Sequence, residues 1–272
     1  MNFTLDETQT AIRDLARRVF TENESQDELW SALRRTGLLD VDGFVDQCVV
    51  LIEQGRTVAP VALWARYATR RDATLAVDGI APDDQANDVL FVRDGSVFAA
   101  PLRMLERRRT TAGAEFVVDV SGGTPVDMDG ADLLNRAIVL RCALGVGIAE
   151  KALEITASYV GERKQFDRPL GSFQAVQQRA ANAYIDVEAM RLTMLQAAWR
   201  IGEGLDAARE VGIAQFWTSE AGQRVVGTAQ HLHGGMGSDV DYPLHRYTLA
   251  MKEIELAFGG ATETLARMGA RL

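Results

Sequence analysis

From about Gly130 to the end of the chain, apolar residues return with the period of an α-helix and not with that of a strand. Leu140, Ala143, Leu144, Gly147, Ile148, Ala152, Ile155 and Tyr159 form one stripe. Phe173, Val176, Ala180, Ala183, Val187, Met190, Met194, Ala197 and Ile201 form a second. Ala214, Trp217, Ala221, Val225 and Ala229 mark a third helix, and a fourth runs near Leu244 to Phe258. A helix with one apolar stripe must bury it against another element. Such helices in succession predict a four-helix bundle, with the Met and aromatic positions of the stripes in its core.

The first third also reads as helical. Thr4 stands where an N-cap would, with Glu7 three residues on, as in a capping box. Helices are expected over 27–35, stopped by Gly37, over 43–56, and again after Pro60 through Leu63, Trp64 and Tyr67. Between Gly79 and Gly123 the character changes to short β-type runs at 89–92, 96–99 and 115–118. Arg93-Asp94-Gly95 is a hairpin signal between the first two. Arg107-Arg108-Arg109 is placed between strands, as a solvated edge or loop. The expected fold is mainly α: an N-terminal helical region (1–78), a reduced β insert (79–129) and the C-terminal bundle (130–272).

The 272 residues suffice for a sizeable core, and the net charge of −9 argues against nonspecific binding to nucleic acid or an anionic membrane. No apolar run reaches a membrane-spanning length, and the N-terminus lacks a basic region followed by an apolar one. A cytoplasmic protein is expected. Cys48 and Cys142 are far apart in apolar helical contexts and read as buried, reduced thiols.

Two segments carry chemistry. Tyr159 to Gln174 ends one long helix at a basic cluster and turns through Arg168-Pro169 and Gly171, with Ser172 as the expected N-cap of the next helix. Arg163 offers a rigid fork suited to a pyrophosphate, and Phe166 a flat face for a ring system. The bland alternative is a helical corner with ordinary surface charges. The second segment is Gln230-His231-Leu232-His233-Gly234-Gly235-Met236-Gly237, followed by Asp241-Tyr242-Pro243. A Gly-Gly-x-Gly run lets backbone N–H groups approach a ligand, although glycines also end helices without any ligand. His231 and His233 are two apart and point to different faces of a helix, which argues against a shared metal site.

Taken together, Arg163, Phe166, Pro169, Phe173, Gln174, Gly234, Gly235, Gly237, Tyr242 and Pro243 resemble the C-terminal half of acyl-CoA dehydrogenases. Leu33-Arg34-Arg35-Thr36-Gly37-Leu38-Leu39 resembles that family's opening. The resemblance implies an N-terminal helical domain, a middle β domain and a C-terminal bundle, with FAD at a subunit interface. It assigns contacts to the adenosine-pyrophosphate half of a neighbouring subunit's FAD to Arg163, Gln165, Phe166, His231, Gly234 and Gly235. At position 231 the family usually has Gln.

The sequence departs from the family where the reaction would occur. The α-proton of the thioester needs a carboxylate base. The family's two base positions fall on Gly259, in Phe258-Gly259-Gly260-Ala261, and on Ala137. The β region is also short, without the loop that holds the flavin ring. These departures resemble the incomplete subunit of heteromeric bacterial members, such as those of actinobacterial steroid and side-chain degradation. The resemblance then implies a full-length acyl-CoA dehydrogenase partner in a heterotetramer, an acyl-CoA substrate, and electron-transfer flavoprotein or a similar acceptor. Two other readings stand beside it: a self-sufficient flavoenzyme whose base has moved to Asp239, Asp241, Glu253, Glu255 or Glu263, and a non-redox assembly protein.

Overall fold

The computed structural model describes residues 3–110 and 113–270. Four helices open the chain: α1 (Glu7–Glu22), α2 (Gln26–Thr36), α3 (Phe44–Thr57) and α4 (Leu63–Thr69). The capping box of α1 is formed by Asp6 and Gln9, two residues downstream of the expected Thr4 pair. Asp6 Oδ1 accepts from the Gln9 N–H at 2.8 Å. Helix α2 is capped by Ser25 with Glu28 and stops at Gly37, whose left-handed φ of 75° is the conformation a glycine supplies at least cost.

Seven strands follow: β1 (Ala73–Ala76), β2 (Ile80–Ala81), β3 (Asp88–Arg93), β4 (Ser96–Pro101), β5 (Met104–Arg109), β6 (Ala114–Val118) and β7 (Thr124–Asp129). They make a four-stranded sheet in the order β1-β3-β4-β7 and a three-stranded sheet in the order β2-β6-β5. Arg93 pairs with Ser96 around Asp94 and Gly95, whose φ values of 50° and 78° fit a tight hairpin turn. The three arginines expected between strands instead belong to β5, which among the described residues pairs with β6 alone. Every β5 residue is exposed, so its alternation carries no apolar face for a sequence reading to detect. The open edge bears two devices that discourage further pairing, a register irregularity between Met104 and Glu106 and the arginine run.

The second half contains α5 (Gly130–Glu162), the two-stranded ribbon β8 (Lys164–Gln165) and β9 (Arg168–Pro169), then α6 (Gln174–Gly202), α7 (Ala208–His233), α8 (Leu244–Leu256) and α9 (Gly260–Gly269). The expected bundle is present. Asp129 caps α5, its carboxylate accepting from the N–H groups of Ala131 and Asp132. Ser172 does not cap α6: its hydroxyl donates to the Pro169 carbonyl, and Phe173 occupies the cap position.

Leu133, Ala137, Leu140, Leu144 and Ile148 of α5 are buried in one core with Leu51, Leu63, Met190, Met194, Val225 and Met251 from the helices around it. Each leucine, isoleucine, valine and methionine among them contributes about 1.5–3 kcal/mol on burial. Helix α3 lies hard against α5. A Cβ on Gly55 would run into the Leu144 carbonyl, and one on Gly147 into the Ile52 carbonyl, so glycine sets the separation of the two helices. Cys48 and Cys142 are buried free thiols, as expected. Desolvation raises both, Cys142 to about 12. Among the described residues no helix is long and apolar enough to cross a membrane, and no group of His, Cys, Asp and Glu could hold a metal ion.

Candidate functional site

Helix α5 stops where its sequence turns basic. The Arg163 N–H donates to the Tyr159 carbonyl at 2.9 Å, and the Arg163 carbonyl accepts from the Leu170 N–H at 2.8 Å, closing the corner. Between these bonds β8 and β9 pair, with Phe166 and Asp167 left-handed at φ 53° and 61°. Left-handed backbone at two adjacent non-glycine residues is uncommon and is held here by the ribbon. The turn projects the Phe166 ring, which remains 87% exposed while meeting Phe173 edge-on at 6.3 Å. The Arg168 guanidinium lies 4.0 Å from the centroid of the Phe173 ring. The side chains of Arg163 and Gln165 are exposed and have no hydrogen bond or ion pair among the described residues.

The glycine segment starts where α7 ends. Gly234 adopts φ 62°, ψ −141°, a region closed to other residues, and its N–H donates to the His231 carbonyl. A Cβ on Gly234 or Gly235 would meet nothing within 4 Å, so this backbone faces open space. His231 is exposed and His233 buried, as their two-residue spacing predicts. His231 lines an open groove of about 680 Å³ between α6 and α7, together with Arg179, Asn182, Asp186, Arg224 and Thr228. Arg224 grips Asp186 with two bonds of 3.0 and 2.7 Å, whereas Arg179 has no partner among the described residues. Arg163, Gln165 and Phe166 do not line this groove.

The two segments nevertheless meet at one end of the bundle. Tyr159, one turn before Arg163, stacks on His233, with ring centroids 4.3 Å apart and planes at 20°. His233 Nδ1 lies 2.8 Å from the Ala229 carbonyl, and Nε2 lies 3.1 Å from the Tyr242 hydroxyl. Neither periodicity nor motif reading singled out this contact. The available signal was a histidine at a buried helical position immediately before the glycines.

Neither position matched to a catalytic base holds a carboxylate: one is the buried Ala137 and the other the exposed Gly259. Ala137 is fully buried on α5. Arg141, four residues on and so on the same face, lies 5.0 Å from the centroid of the Trp64 ring. Trp64 in turn meets Phe258 edge-on at 6.4 Å. The layer between the two positions is therefore filled by side chains. Desolvation lowers the Arg141 guanidinium to about 10, with Glu253 opposing the shift. At the α8–α9 corner Phe258, Gly259 and Gly260 all take positive φ, at 60°, 103° and 67°. The Phe258 carbonyl is clamped by Gln215 Nε2 at 2.9 Å and Arg267 Nη2 at 2.6 Å. A Cβ on Gly259 would collide with the Glu263 carboxylate. Of the other acids near this segment, Glu253 Oε1 accepts from the Thr110 hydroxyl at 2.7 Å, and Glu255 pairs with Lys252 at 2.5 Å. Asp239 Oδ1 accepts from the Asp241 N–H at 3.0 Å, both residues lying exposed in the segment before α8.

Residues 126–272 match the acyl-CoA dehydrogenase C-terminal domain. Over 140 residues, covering 48% of this chain and 38% of the relative, the sequence is 52% identical to the acyl-CoA dehydrogenase FadE27 of Mycobacterium tuberculosis. It is 33% identical to FadE28 of the same organism over 204 residues, 71% of this chain and 60% of the relative. The chain thus matches less than two thirds of the length of either curated relative. A chain of the ChsE4-ChsE5 complex from Mycobacterium tuberculosis superposes with a TM-score of 0.86 at 30% identity, over 99% of this chain and 98% of that one. A domain match over more than half the sequence, joined to these two relatives and to the bundle geometry, decides the assignment: the chain belongs to the acyl-CoA dehydrogenase family.

Proposed function

We propose that this chain is the non-catalytic subunit of a heteromeric acyl-CoA dehydrogenase that desaturates an acyl-CoA thioester between its α and β carbons. FAD is the cofactor of the family and, when bound, accepts the hydride from the β carbon. This chain holds the nucleotide end. The Arg163 fork bonds pyrophosphate oxygens, Gln165 and His231 donate to the adenosine-pyrophosphate half, Phe166 covers a flat ring, and the Gly234-Gly235 backbone approaches closely. The flavin ring and the base come from a full-length partner subunit, and electron-transfer flavoprotein or a similar carrier takes the electrons.

The observation that carries this reading is the split between the two ends of the chemistry. Arg163, Gln165, Phe166, His231 and the glycines are all exposed and open to a neighbour. The base positions, by contrast, carry no acid: one is the buried Ala137 and the other the exposed Gly259, whose neighbour Phe258 packs on Trp64. The name of the ChsE4-ChsE5 complex supports an assembly of two different subunits.

The test is co-expression with a full-length family member. The purified pair should be yellow and active, this chain alone should retain little FAD and turn nothing over, and Arg163→Ala should strip FAD from the pair. Turnover by this chain alone would end the proposal. One observation favours a second reading: the Glu263 carboxylate lies against Gly259, where a base would be carried. If Glu263 is that base, this chain turns over by itself and Glu263→Gln abolishes that turnover; on the first reading the chain by itself has no turnover to lose.

A further inference from the structure

We propose that His233 is the positioning residue of the nucleotide edge, fixing the Arg163 corner and the Gly234-Gly235 backbone at one spacing. The inference rests on the proposed nucleotide role for its meaning, but its geometry stands apart from it. His233 is 4% exposed and is the last residue of α7 before Gly234. Three elements converge on its ring: Tyr159 of α5 by stacking, Ala229 of α7 by a hydrogen bond, and Tyr242 of the segment before α8 by another.

Chemistry fixes the proton. A carbonyl only accepts, so Nδ1 carries the hydrogen that is donated to Ala229. In the neutral ring Nε2 is then an acceptor, and the Tyr242 hydroxyl donates to it. Burial holds the imidazole below its ordinary value, which favours this neutral form. The ring is thereby oriented by two bonds that differ in direction, and its face is given to Tyr159. Because the Tyr159 carbonyl accepts from the Arg163 N–H, moving His233 moves the turn that launches Arg163.

Two conservative variants separate positioning from mere filling. His233→Asn keeps a donor at the Nδ1 place but withdraws from Tyr242. His233→Gln keeps an acceptor at the Nε2 place. Tyr242→Phe removes the same link from its other end and leaves the imidazole buried. Amide hydrogen exchange of the full chain is read at residues 163–170 and 234–239, with α5 and α6 core amides as the reference. FAD retained by the co-expressed pair is read by absorbance.

His233→Asn and Tyr242→Phe should each speed exchange roughly tenfold in both segments and leave the core unchanged. The double variant should add little to either single one. His233→Gln, which keeps the Tyr242 bond but loses the ring stacked on Tyr159, should fall between the wild type and His233→Asn, and FAD retention should rank the variants in the same order. A rise in one segment only, a rise throughout the bundle, or equal behaviour of His233→Asn and His233→Gln overturns the proposal. If Arg163→Ala leaves FAD in place, the nucleotide role fails, while the exchange result still decides whether His233 couples the two segments.

Discussion

Trp64 of α4 meets Phe258 of the α8–α9 corner edge-on, with ring centroids 6.4 Å apart and planes at 80°. Phe258 is left-handed and directly precedes the position at which the family would carry its base. Left-handed backbone at a bulky residue costs about 1–3 kcal/mol and persists where neighbours over-determine it. Here Trp64, Gln215 and Arg267 do so. Restoring a carboxylate by Gly259→Glu should therefore create no catalyst. Its backbone sits at φ 103°, where any residue but glycine is strained, and the exposed Glu263 carboxylate beside it would have to swing aside. We expect no gain in turnover, alone or in the pair, and a loss of about 1–3 kcal/mol in a denaturant titration.

Arg163→Ala and Phe166→Ala should separate binding from folding. Both side chains are exposed, and the Arg163 guanidinium has no partner among the described residues. Stability of the isolated chain should change by no more than about 0.5 kcal/mol, measured by urea unfolding. In the same variants the flavin absorbance of the assembled pair should fall.

The seam between α3 and α5 leaves no room for a methyl group. Gly147→Ala would push into the Ile52 carbonyl and Gly55→Ala into that of Leu144. Because backbone and not a flexible side chain is in the way, each substitution should cost about 1–3 kcal/mol, despite alanine's better helix propensity. Chemical denaturation of each variant measures this directly.

His233 also predicts a dependence on pH. Desolvation lowers its pKa below the 6.5 of an unfolded chain, partly offset by the bond to Ala229. Between the unfolded and folded values the unfolded chain binds the proton and the folded one does not, so stability rises with pH. The contribution is fully present above about 6.5 and is lost as pH falls through the folded value. Urea midpoints taken across that window should decline for the wild type more steeply than for His233→Gln. Burial raises the Glu150 carboxyl, an effect common to both proteins that cancels in the comparison.

The bundle was legible because its helices are long and apolar at the helical period; α6 and α7 carry the predicted residues inward, and α5, at the centre, is buried all round from Cys142 to Ala149. The corner and glycine segments were legible as motifs, because their residue types suit an anion. What escaped were features set by the third dimension. Strand β5 buries no side chain and so leaves no period in the sequence. Strand β7 reads as Pro, Thr and Asp yet pairs with β4. Asp6 displaced Thr4 as a cap because Gln9, not Glu7, reaches back to its N–H. The layer through Arg141, Trp64 and Phe258 joins residues distant in the chain, and only packing reveals that it fills the space beside Gly259.

The bare ladder of β5 has a colloidal consequence. Two chains meeting β5 to β5 in parallel register, as cross-β stacking aligns them, would set their Arg107-Arg108-Arg109 runs about 5 Å apart. At physiological ionic strength, cations so close are not hidden from each other, since screening needs roughly 8 Å. An otherwise sticky ribbon is thus refused by its mirror-mate, and concentrated solutions are spared cross-β stacking along that side.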